Sequence, residues 1–169
     1  MKFMLMNHSI YSSNLFRPQE TRQNFPYLLV AKIYQFLSDL EKDYPNFREW
    51  YFEKVIPEIS LCKRNIFIKY CNSEIGGVAI VKNSNDEKKI CTVKVASDYK
   101  NRGIGVKLFQ KSFEWLDCKT PLATVSEQRL PEFQRLFEHF NFKLTQIKSD
   151  YYKLGCKEYV FNGSILESL

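Results

Sequence analysis

Apolar positions in the first part of the chain recur at the spacing of helices. Residues 26–43 and 47–56 place leucine, isoleucine and aromatic side chains three or four positions apart, which predicts two amphipathic helices. Asn46, with Glu49 three residues later, fits a capping box at the start of the second helix. Pro57 is expected to end or kink that helix, because proline lacks the N–H group that a helix interior needs.

The apolar pattern then changes to short runs separated by polar turns, which is typical of strands. Three such runs lie at residues 65–71, 75–82 and 89–96. Since the turns between them are short, we predict an antiparallel meander. Gly76 and Gly77, near the start of the middle run, indicate a β-bulge or a close approach of another backbone.

Helices and strands alternate in the second part of the chain. A helical stripe at residues 106–116 is followed by an apolar run at 121–126, which we expect to lie parallel to the strand at 89–96. One more helix and two short strands complete the pattern, at residues 131–140, 142–148 and 158–162.

A chain of 169 residues suits a single domain with a real core, so we predict one domain over residues 1–169. Residues 1–25 are expected to form an irregular polar arm, although residues 1–8 alternate loosely as a first strand. Residues 163–169 are expected to be a frayed tail. The predicted element order is β-α-α-β-β-β-α-β-α-β-β.

One stretch joins a strand, a glycine turn and a helix in an order that has a chemical use. The strand ends near Val95, the turn contains Gly103 and Gly105, and the helix follows directly. The first N–H groups of a helix are unpaired and carry partial positive charge, so this turn suits a phosphate or a pyrophosphate. Neither a Walker P-loop nor a dinucleotide fingerprint is present. A tight β-to-α corner with solvated lysines explains the two glycines equally well.

This stretch resembles motif A of the GCN5-related N-acetyltransferases (GNAT). The family turn has Gln or Arg, two variable residues, Gly, one variable residue and then Gly or Ala. Lys100 stands at the Gln or Arg position, which keeps a charge but loses the forked geometry of arginine. The element order also agrees with that of the family. The resemblance covers roughly residues 65–160.

The resemblance implies an α/β (α+β) fold with a mixed, mostly antiparallel central sheet flanked by helices. It implies acetyl-CoA as co-substrate, with its pyrophosphate on the backbone amides of the turn and its pantetheine arm on the preceding strand. The expected cofactor-binding residues are Val93, Lys94, Val95, Lys100, Asn101, Arg102, Gly103, Ile104, Gly105 and Val106.

The implied reaction is direct transfer of acetyl to a primary amine. A base removes the proton of the amine, an acid protonates the departing thiolate, and a backbone N–H near Val95 polarises the thioester carbonyl. The usual acid of the family is a tyrosine, but the matching residue here is Phe137, which cannot donate a proton. Four polar residues near strand ends are therefore the catalytic candidates: Tyr151, Tyr152, Ser126 and Glu127.

Three alternatives stay open at this stage. In the first, the thiolate leaves without an acid, which its modest basicity permits. In the second, the protein is a regulatory GNAT-like protein that binds acyl-CoA with little turnover. In the third, the protein is a GNAT toxin-like enzyme that acetylates aminoacyl-tRNA, which the net charge of +6 would suit. A plain nucleic-acid-binding module ranks last, because the sequence has no RNP, KH or zinc-finger pattern.

Composition narrows the remaining choices. The five cysteines are widely spaced, which gives neither a disulfide framework nor a zinc pattern, and two histidines make a histidine-based metal site unexpected. No apolar run approaches a membrane span, and the start of the chain is too short and too polar for a signal peptide. We therefore expect a cytoplasmic monomer or homodimer, without a metal, that acts on the amine of a small molecule or peptide.

Overall fold

The computed structural model describes residues 26–165 of the chain. The predicted arm at residues 1–25, with its first strand, and residues 166–169 lie outside the described residues. The described residues form one six-stranded sheet with helices on both faces, which is a mixed α+β fold.

Four helices and six strands follow one another along the described chain. The helices are α1 (Tyr27–Leu37), α2 (47–60), α3 (Ile104–Leu116) and α4 (Leu130–His139). The strands are β1 (Arg64–Cys71), β2 (Glu74–Asn83), β3 (Lys88–Val95), β4 (Leu122–Ser126), β5 (Leu144–Ser149) and β6 (Lys157–Phe161). Short 3₁₀ helices extend α1 and precede the turn before α3, at Ser38–Lys42 and Ser97–Tyr99.

The strand order across the sheet is β1-β2-β3-β4-β6-β5. All neighbouring strands are antiparallel except β3 and β4, which are parallel and connected through α3. The meander of β1 to β3 and the parallel return of β4 are both confirmed.

A β-bulge interrupts the pairing of β1 with β2. The register shifts between Lys69 and Tyr70, because Gly76 is an extra residue in β2. A Cβ atom on Gly76 would lie 2.5 Å from the Cys71 Sγ atom, closer than real Cβ atoms approach. The bulge predicted from the two glycines is confirmed, and it depends on the missing side chain.

Two apolar layers hold the helices on the sheet. Helices α1 and α2 cover one face, and their fully buried side chains are Ile33, Leu37, Tyr51 and Val55. Helices α3 and α4 cover the other face, with Leu108, Phe109, Leu116 and Phe137. Since side chains alternate along a strand, β2 serves both layers through Val78, Ala79, Ile80 and Val81. Each fully buried aliphatic side chain stabilises the fold by about 1.5–3 kcal/mol.

Helix α2 differs from its prediction at both ends. The Asn46 side chain makes no capping hydrogen bond, so the predicted capping box is wrong. The helix also continues past Pro57, and the turns before the proline are widened into a π-helix over Trp50–Val55. There the Ile56 N–H bonds to the Tyr51 carbonyl, five residues earlier rather than four.

The end of α4 fixes where β5 begins. Asn141 has a φ of 55°, the left-handed conformation that commonly follows a helix. The Phe142 N–H bonds to the Phe137 carbonyl at 2.8 Å, so Phe142 still belongs to the helix end and β5 starts at Leu144. Beyond β6, Ile165 is buried in a small apolar cluster against the sheet.

Candidate functional site

Strands β3 and β4 begin as a parallel pair and then separate. Their pairing consists of Lys89 with Leu122 and Ile90 with Ala123; beyond these, neither strand, as described, pairs with the other. The gap opens into a cleft of about 1430 Å³ whose walls include the separated parts of both strands. A parallel pair that opens in this way exposes backbone polar groups inside the molecule.

The exposed backbone groups of β3 are those of Val93 and Val95. The Ala96 N–H bonds to the Gly76 carbonyl at 2.9 Å, so Ala96 faces β2. Because backbone polar groups alternate between the two edges of a strand, the N–H and C=O of Val95 and Val93 face the other edge, toward the gap. They are placed to bind an extended ligand that lies in the gap like an additional strand.

The N-terminus of α3 opens into the same cleft. Gly103 precedes the helix with a φ of 76°, and no side chain caps it. The first helical hydrogen bond joins the Lys107 N–H to the Gly103 carbonyl at 3.1 Å. The backbone N–H groups of Arg102 to Val106 donate no hydrogen bond to any acceptor among residues 26–165. These donors and the helix dipole make a site for an anion.

The two glycines of this turn have different structural reasons. A Cβ atom on Gly103 would have no neighbour within 4 Å, so Gly103 provides the positive φ and leaves open space. A Cβ atom on Gly105 would lie 3.0 Å from the Leu136 Cδ1 atom, so Gly105 allows α4 to pack against α3. Only Gly103 is therefore a clean probe of a ligand above the turn.

The structure brings the predicted cofactor-binding residues together. Nine of the ten line the cleft: Val93, Lys94, Val95, Lys100, Asn101, Gly103, Ile104, Gly105 and Val106. Arg102 is exposed beside it, with its guanidinium 5.6 Å from the centre of the Tyr99 ring.

Several charged side chains at the mouth of the cleft already form ion pairs within the protein. Lys94 Nζ lies 2.5 Å from Asp39 Oδ1 and donates to the Phe36 carbonyl, so its side chain points away from the α3 turn. Partial burial acts to raise the pKa of Asp39, but the Lys94 and Arg129 cations outweigh it and hold that pKa below its usual value. Lys100 Nζ lies 2.7 Å from Glu132 Oε2 across the α3 turn.

The four predicted catalytic residues occupy different environments. Tyr152 lines the cleft, and its hydroxyl accepts a hydrogen bond from Lys89 Nζ at 3.4 Å. Ser126 is buried at the end of β4, next to the cleft. Tyr151 packs instead against the small apolar cluster below β6. Glu127 is exposed and pairs with Lys157 at 3.6 Å, away from the lining of the cleft. The structure thus brings Ser126 and Tyr152 near the gap, but not Tyr151 or Glu127.

Two further residues meet at the end of the gap, Tyr44 and Glu158. The Tyr44 hydroxyl accepts a hydrogen bond from the Ser126 N–H at 3.3 Å. It also donates a long hydrogen bond, 3.5 Å, to Glu158 Oε1. The Tyr44 ring in turn contacts the Tyr152 ring edge to face, with centroids 5.4 Å apart. Tyr44 therefore sits where β4 has lost its β3 partner.

Burial controls the titration of this group. Glu158 is only 3% exposed, and burial raises the pKa of its carboxyl to about 7. Burial, together with the Glu158 charge, raises the pKa of Tyr44, so its phenol stays protonated. A carboxyl with a pKa close to neutrality is suited to take and release protons.

Phe137, which occupies the family tyrosine position, lies at the wall of the cleft in an apolar environment of aromatic and aliphatic side chains. Its ring centre is 4.2 Å from that of Phe161 and 5.1 Å from that of Phe142, and the residue is 4% exposed. The surroundings offer this position no route for a proton. A proton donor or acceptor in this cleft has to come from another element.

Glu158 and Tyr44 are not among the residues that the sequence predicts for the site. Glu158 is a charged residue at the start of a short apolar run, and a carboxylate at a strand position that becomes buried is unusual. Tyr44 stands before Pro45 and reads as the end of a helix. Their meeting across the sheet could not be read from either segment alone.

Comparison with known proteins identifies the fold. No protein-family model matches the sequence, and no curated protein is similar to it in sequence. A solved structure of a protein assigned to the GNAT family from Desulfovibrio desulfuricans aligns with 83% of this chain and 94% of its own, with a TM-score of 0.65 and 12% identity. The ribosomal-protein-S18-alanine N-acetyltransferase from Escherichia coli aligns with 86% of this chain and 95% of its own, with a TM-score of 0.56 and 16% identity.

An aminoglycoside 6′-N-acetyltransferase solved with coenzyme A aligns with 84% of this chain and 93% of its own, with a TM-score of 0.58 and 11% identity. The chain therefore has the fold of the GCN5-related N-acetyltransferases. Its structural neighbours are acetyltransferases, and some were solved with coenzyme A or acetyl-CoA.

Residues 26–165 also bear on two other kinds of site. No group of three or more histidine, cysteine or acidic side chains among them is arranged to hold a metal ion. None of the helices in this range is both long and apolar enough to cross a membrane.

Proposed function

We propose that the protein is an N-acetyltransferase that moves the acetyl group of acetyl-CoA to a primary amine. The observation that carries this proposal is the placement of two backbone sites in one cleft. One is the uncapped N-terminus of α3, which suits the pyrophosphate. The other is the open edge of β3 at Val93 and Val95, which suits the amide groups of the pantetheine arm.

The spacing of these sites supports one elongated ligand. Only seven residues lie between Val95 and Gly103, and both line the same cleft. The pantetheine arm is an extended chain with two amides, so it can pair with β3 as a strand would. This arrangement directs the thioester toward the point where β3 and β4 separate.

In the proposed reaction the amine attacks the thioester carbonyl directly. The Val93 N–H faces the gap closer to the point of separation than the Val95 N–H expected from the sequence, so Val93 is the residue that polarises that carbonyl and stabilises the oxyanion that forms on attack. No covalent intermediate on the protein is needed, which agrees with the environment of Cys91. Burial raises the pKa of the Cys91 thiol, and Arg64 Nη1 already donates to its sulfur at 3.2 Å.

A second candidate is an acyl-CoA-binding protein with little turnover. The buried, aromatic surroundings of Phe137 favour it, because the usual proton donor is missing. Detectable release of free CoA in the presence of an amine acceptor would rule it out. Tight acetyl-CoA binding without transfer to any amine in a broad panel would favour it instead.

Calorimetric binding of acetyl-CoA to matched glycine variants tests the proposed site. Gly103 and Gly155 both have a φ of 76°, and a Cβ atom on either would have no neighbour within 4 Å. Valine at either position therefore introduces similar backbone strain, but only Gly103→Val fills space above the α3 turn. We expect Gly103→Val to weaken acetyl-CoA binding about tenfold or more, since it separates the diphosphate from charge-assisted hydrogen-bond donors.

Gly155→Val serves as the control, because Gly155 lies in the hairpin between β5 and β6 and does not line the cleft. It should bind acetyl-CoA as the wild type does. Equal binding by both variants, or no binding by the wild type, would overturn the proposed function.

A further inference from the structure

The separated end of β4 carries polar side chains that coenzyme A binding does not use. Ser126 is 3% exposed, and its Oγ atom has no hydrogen-bond partner among the described residues. Glu158 is equally buried and forms no ion pair within the same part of the chain. Buried hydroxyl groups are normally hydrogen-bonded, and buried carboxylates are normally paired with a cation. Ser126 Oγ is unpartnered, and Glu158 has hydrogen bonds only with the Tyr44 and Thr124 hydroxyls, so this pair indicates a ligand that is cationic.

Strand register places these two groups together. Ser126 pairs with Glu158 across β4 and β6, so their side chains lie on the same face of the sheet. Thr124, two residues earlier on β4, points to that face as well and lines the cleft. The face is the one covered by α1 and α2, opposite to the face that carries α3. Ser126, Glu158 and Thr124 therefore face the thioester position from the side of the sheet that coenzyme A does not cover.

Charged and titratable groups surround the Glu158 carboxyl from each packed element. Lys89 on β3 attracts the Glu158 carboxylate electrostatically, but its Nζ donates to the Tyr152 hydroxyl in the β5–β6 hairpin. Asp43 and Tyr44 approach from the segment after α1, and Asp43 is itself held by Arg129 at 2.6 Å. The phenols of Tyr44 and Tyr152 are neutral. None of these groups neutralises Glu158 by direct contact, which leaves room for a cation.

We propose that Glu158, with Ser126 and Tyr44, binds the acceptor as an aliphatic ammonium ion and that Glu158 removes its proton. This inference rests on the proposed function, because it assumes that the thioester occupies the gap. A buried carboxylate beside two tyrosine rings selects an alkylammonium over a neutral arylamine or an alcohol, which would leave the carboxylate unpaired. Ser126 Oγ and the Tyr44 hydroxyl supply further acceptors for the ammonium N–H groups.

The proton balance of this step closes without an acid from the protein. The ammonium gives one proton to the Glu158 carboxylate, and the neutral nitrogen attacks the thioester carbon to form the C–N bond. When the C–S bond breaks, the second nitrogen proton passes to the departing sulfur, which gives the amide and free CoA. Glu158 then returns its proton to water. The aromatic environment of Phe137 is therefore compatible with turnover.

The test measures binding of n-butylammonium chloride, with n-butanol as the neutral probe of similar shape. The protein is saturated with CoA, at about pH 8, so that the carboxyl is ionised. Protein labelled with ¹³C at glutamate carboxyls reports the Glu158 signal, assigned by its loss in Glu158→Gln. We expect n-butylammonium to bind, n-butanol not to bind, and the apparent pKa of Glu158 to fall when the ammonium is present.

Glu158→Gln should weaken n-butylammonium binding about tenfold or more, the usual value of a charge-assisted hydrogen bond. The control, Glu74→Gln, changes an exposed carboxyl at the first residue of β2 and should bind like the wild type. Unchanged amine binding by Glu158→Gln, or no amine binding by the wild type, would overturn the inference. A separate measurement of acetyl-CoA affinity distinguishes failure of this inference from failure of the proposed function. If only this inference fails, the wild type and Glu158→Gln still bind acetyl-CoA equally well. If the proposed function fails, the wild type does not bind acetyl-CoA.

Discussion

The two sides of the cleft differ in the kind of group that they present. On the α3 side, backbone N–H groups of one short turn and one strand edge face the cleft. On the opposite side, the groups are side chains from separate elements, and Tyr44 and Glu158 are 114 residues apart in the chain. A backbone site tolerates many side chains, whereas a side-chain site depends on a few particular atoms. We therefore expect substitutions on the two sides to affect different measurements.

The largest expected effect is on turnover when the acceptor side is changed. Glu158→Gln keeps the shape of the side chain but cannot take a proton. We expect the rate of acetyl transfer to fall about 10²-fold or more, as is typical for loss of a general base, with acetyl-CoA affinity unchanged. The measurement is initial-rate kinetics with the amine that gives the highest wild-type rate in a panel of aliphatic amines.

The pH dependence of the same reaction distinguishes a base from a merely structural carboxyl. Since burial raises the pKa of Glu158 to about 7, kcat/KM of the wild type should rise with pH and level off above about 7. Glu158→Gln should lose this step and keep only the rise that belongs to deprotonation of the free amine. A step that persists unchanged in the variant would contradict the assignment of Glu158.

Glu158→Gln should raise the stability of the folded chain, although it lowers the rate of acetyl transfer. The folded pKa of Glu158 lies above the unfolded value, so its protonated form favours folding. This contribution is fully present below about pH 4.5 and is lost as pH rises through about 7. Glu158→Gln, which stays neutral, should therefore be more stable than the wild type at about pH 8, by at most roughly 3 kcal/mol.

Thermal unfolding at several pH values checks this expectation. The difference in Tm between Glu158→Gln and the wild type should disappear in acid. Glu74→Gln, at an exposed position, should show no such pH-dependent difference. A Glu158→Gln variant that is less stable at about pH 8 would show that the carboxylate is held by partners in the folded state.

The smallest expected effect concerns a charge at the rim of the coenzyme A side. Lys100 is about half exposed and is already paired with Glu132, so removing it changes a solvated interaction. Lys100→Ala should weaken acetyl-CoA binding only about two- to fivefold, and less at high salt. Lys119→Ala, at an exposed position beyond the far end of α3, should have no effect. A loss as large as that of Gly103→Val would mean that side-chain charge, rather than the backbone, dominates this site.

The contrast between the two sides also explains how much the sequence could predict. The strand, the glycine turn and α3 are contiguous, so their hydrophobic pattern and Gly103 reveal both the fold and the anion site. The bulge at Gly76 and the left-handed Asn141 were predictable for the same reason, because each depends on local backbone geometry. The parallel return of β4 follows from the helix between it and β3.

The acceptor side could not be predicted in this way. Tyr44 and Glu158 meet only because β6 lies beside β4 and the segment after α1 crosses the end of the gap. Ser126 was a candidate from the sequence, but its buried and unpartnered Oγ atom became apparent only in the structure. The capping box at Asn46 failed for the opposite reason: the residue types fit, but the side chain makes no such bond.

The most direct test of the central claim is a crystal structure of the protein with CoA. We expect diphosphate oxygens within hydrogen-bond distance of the backbone N–H groups from Arg102 to Val106, and the pantetheine arm along Val93 and Val95. A CoA molecule bound elsewhere, or a diphosphate held by side chains while these amides face solvent, would contradict it.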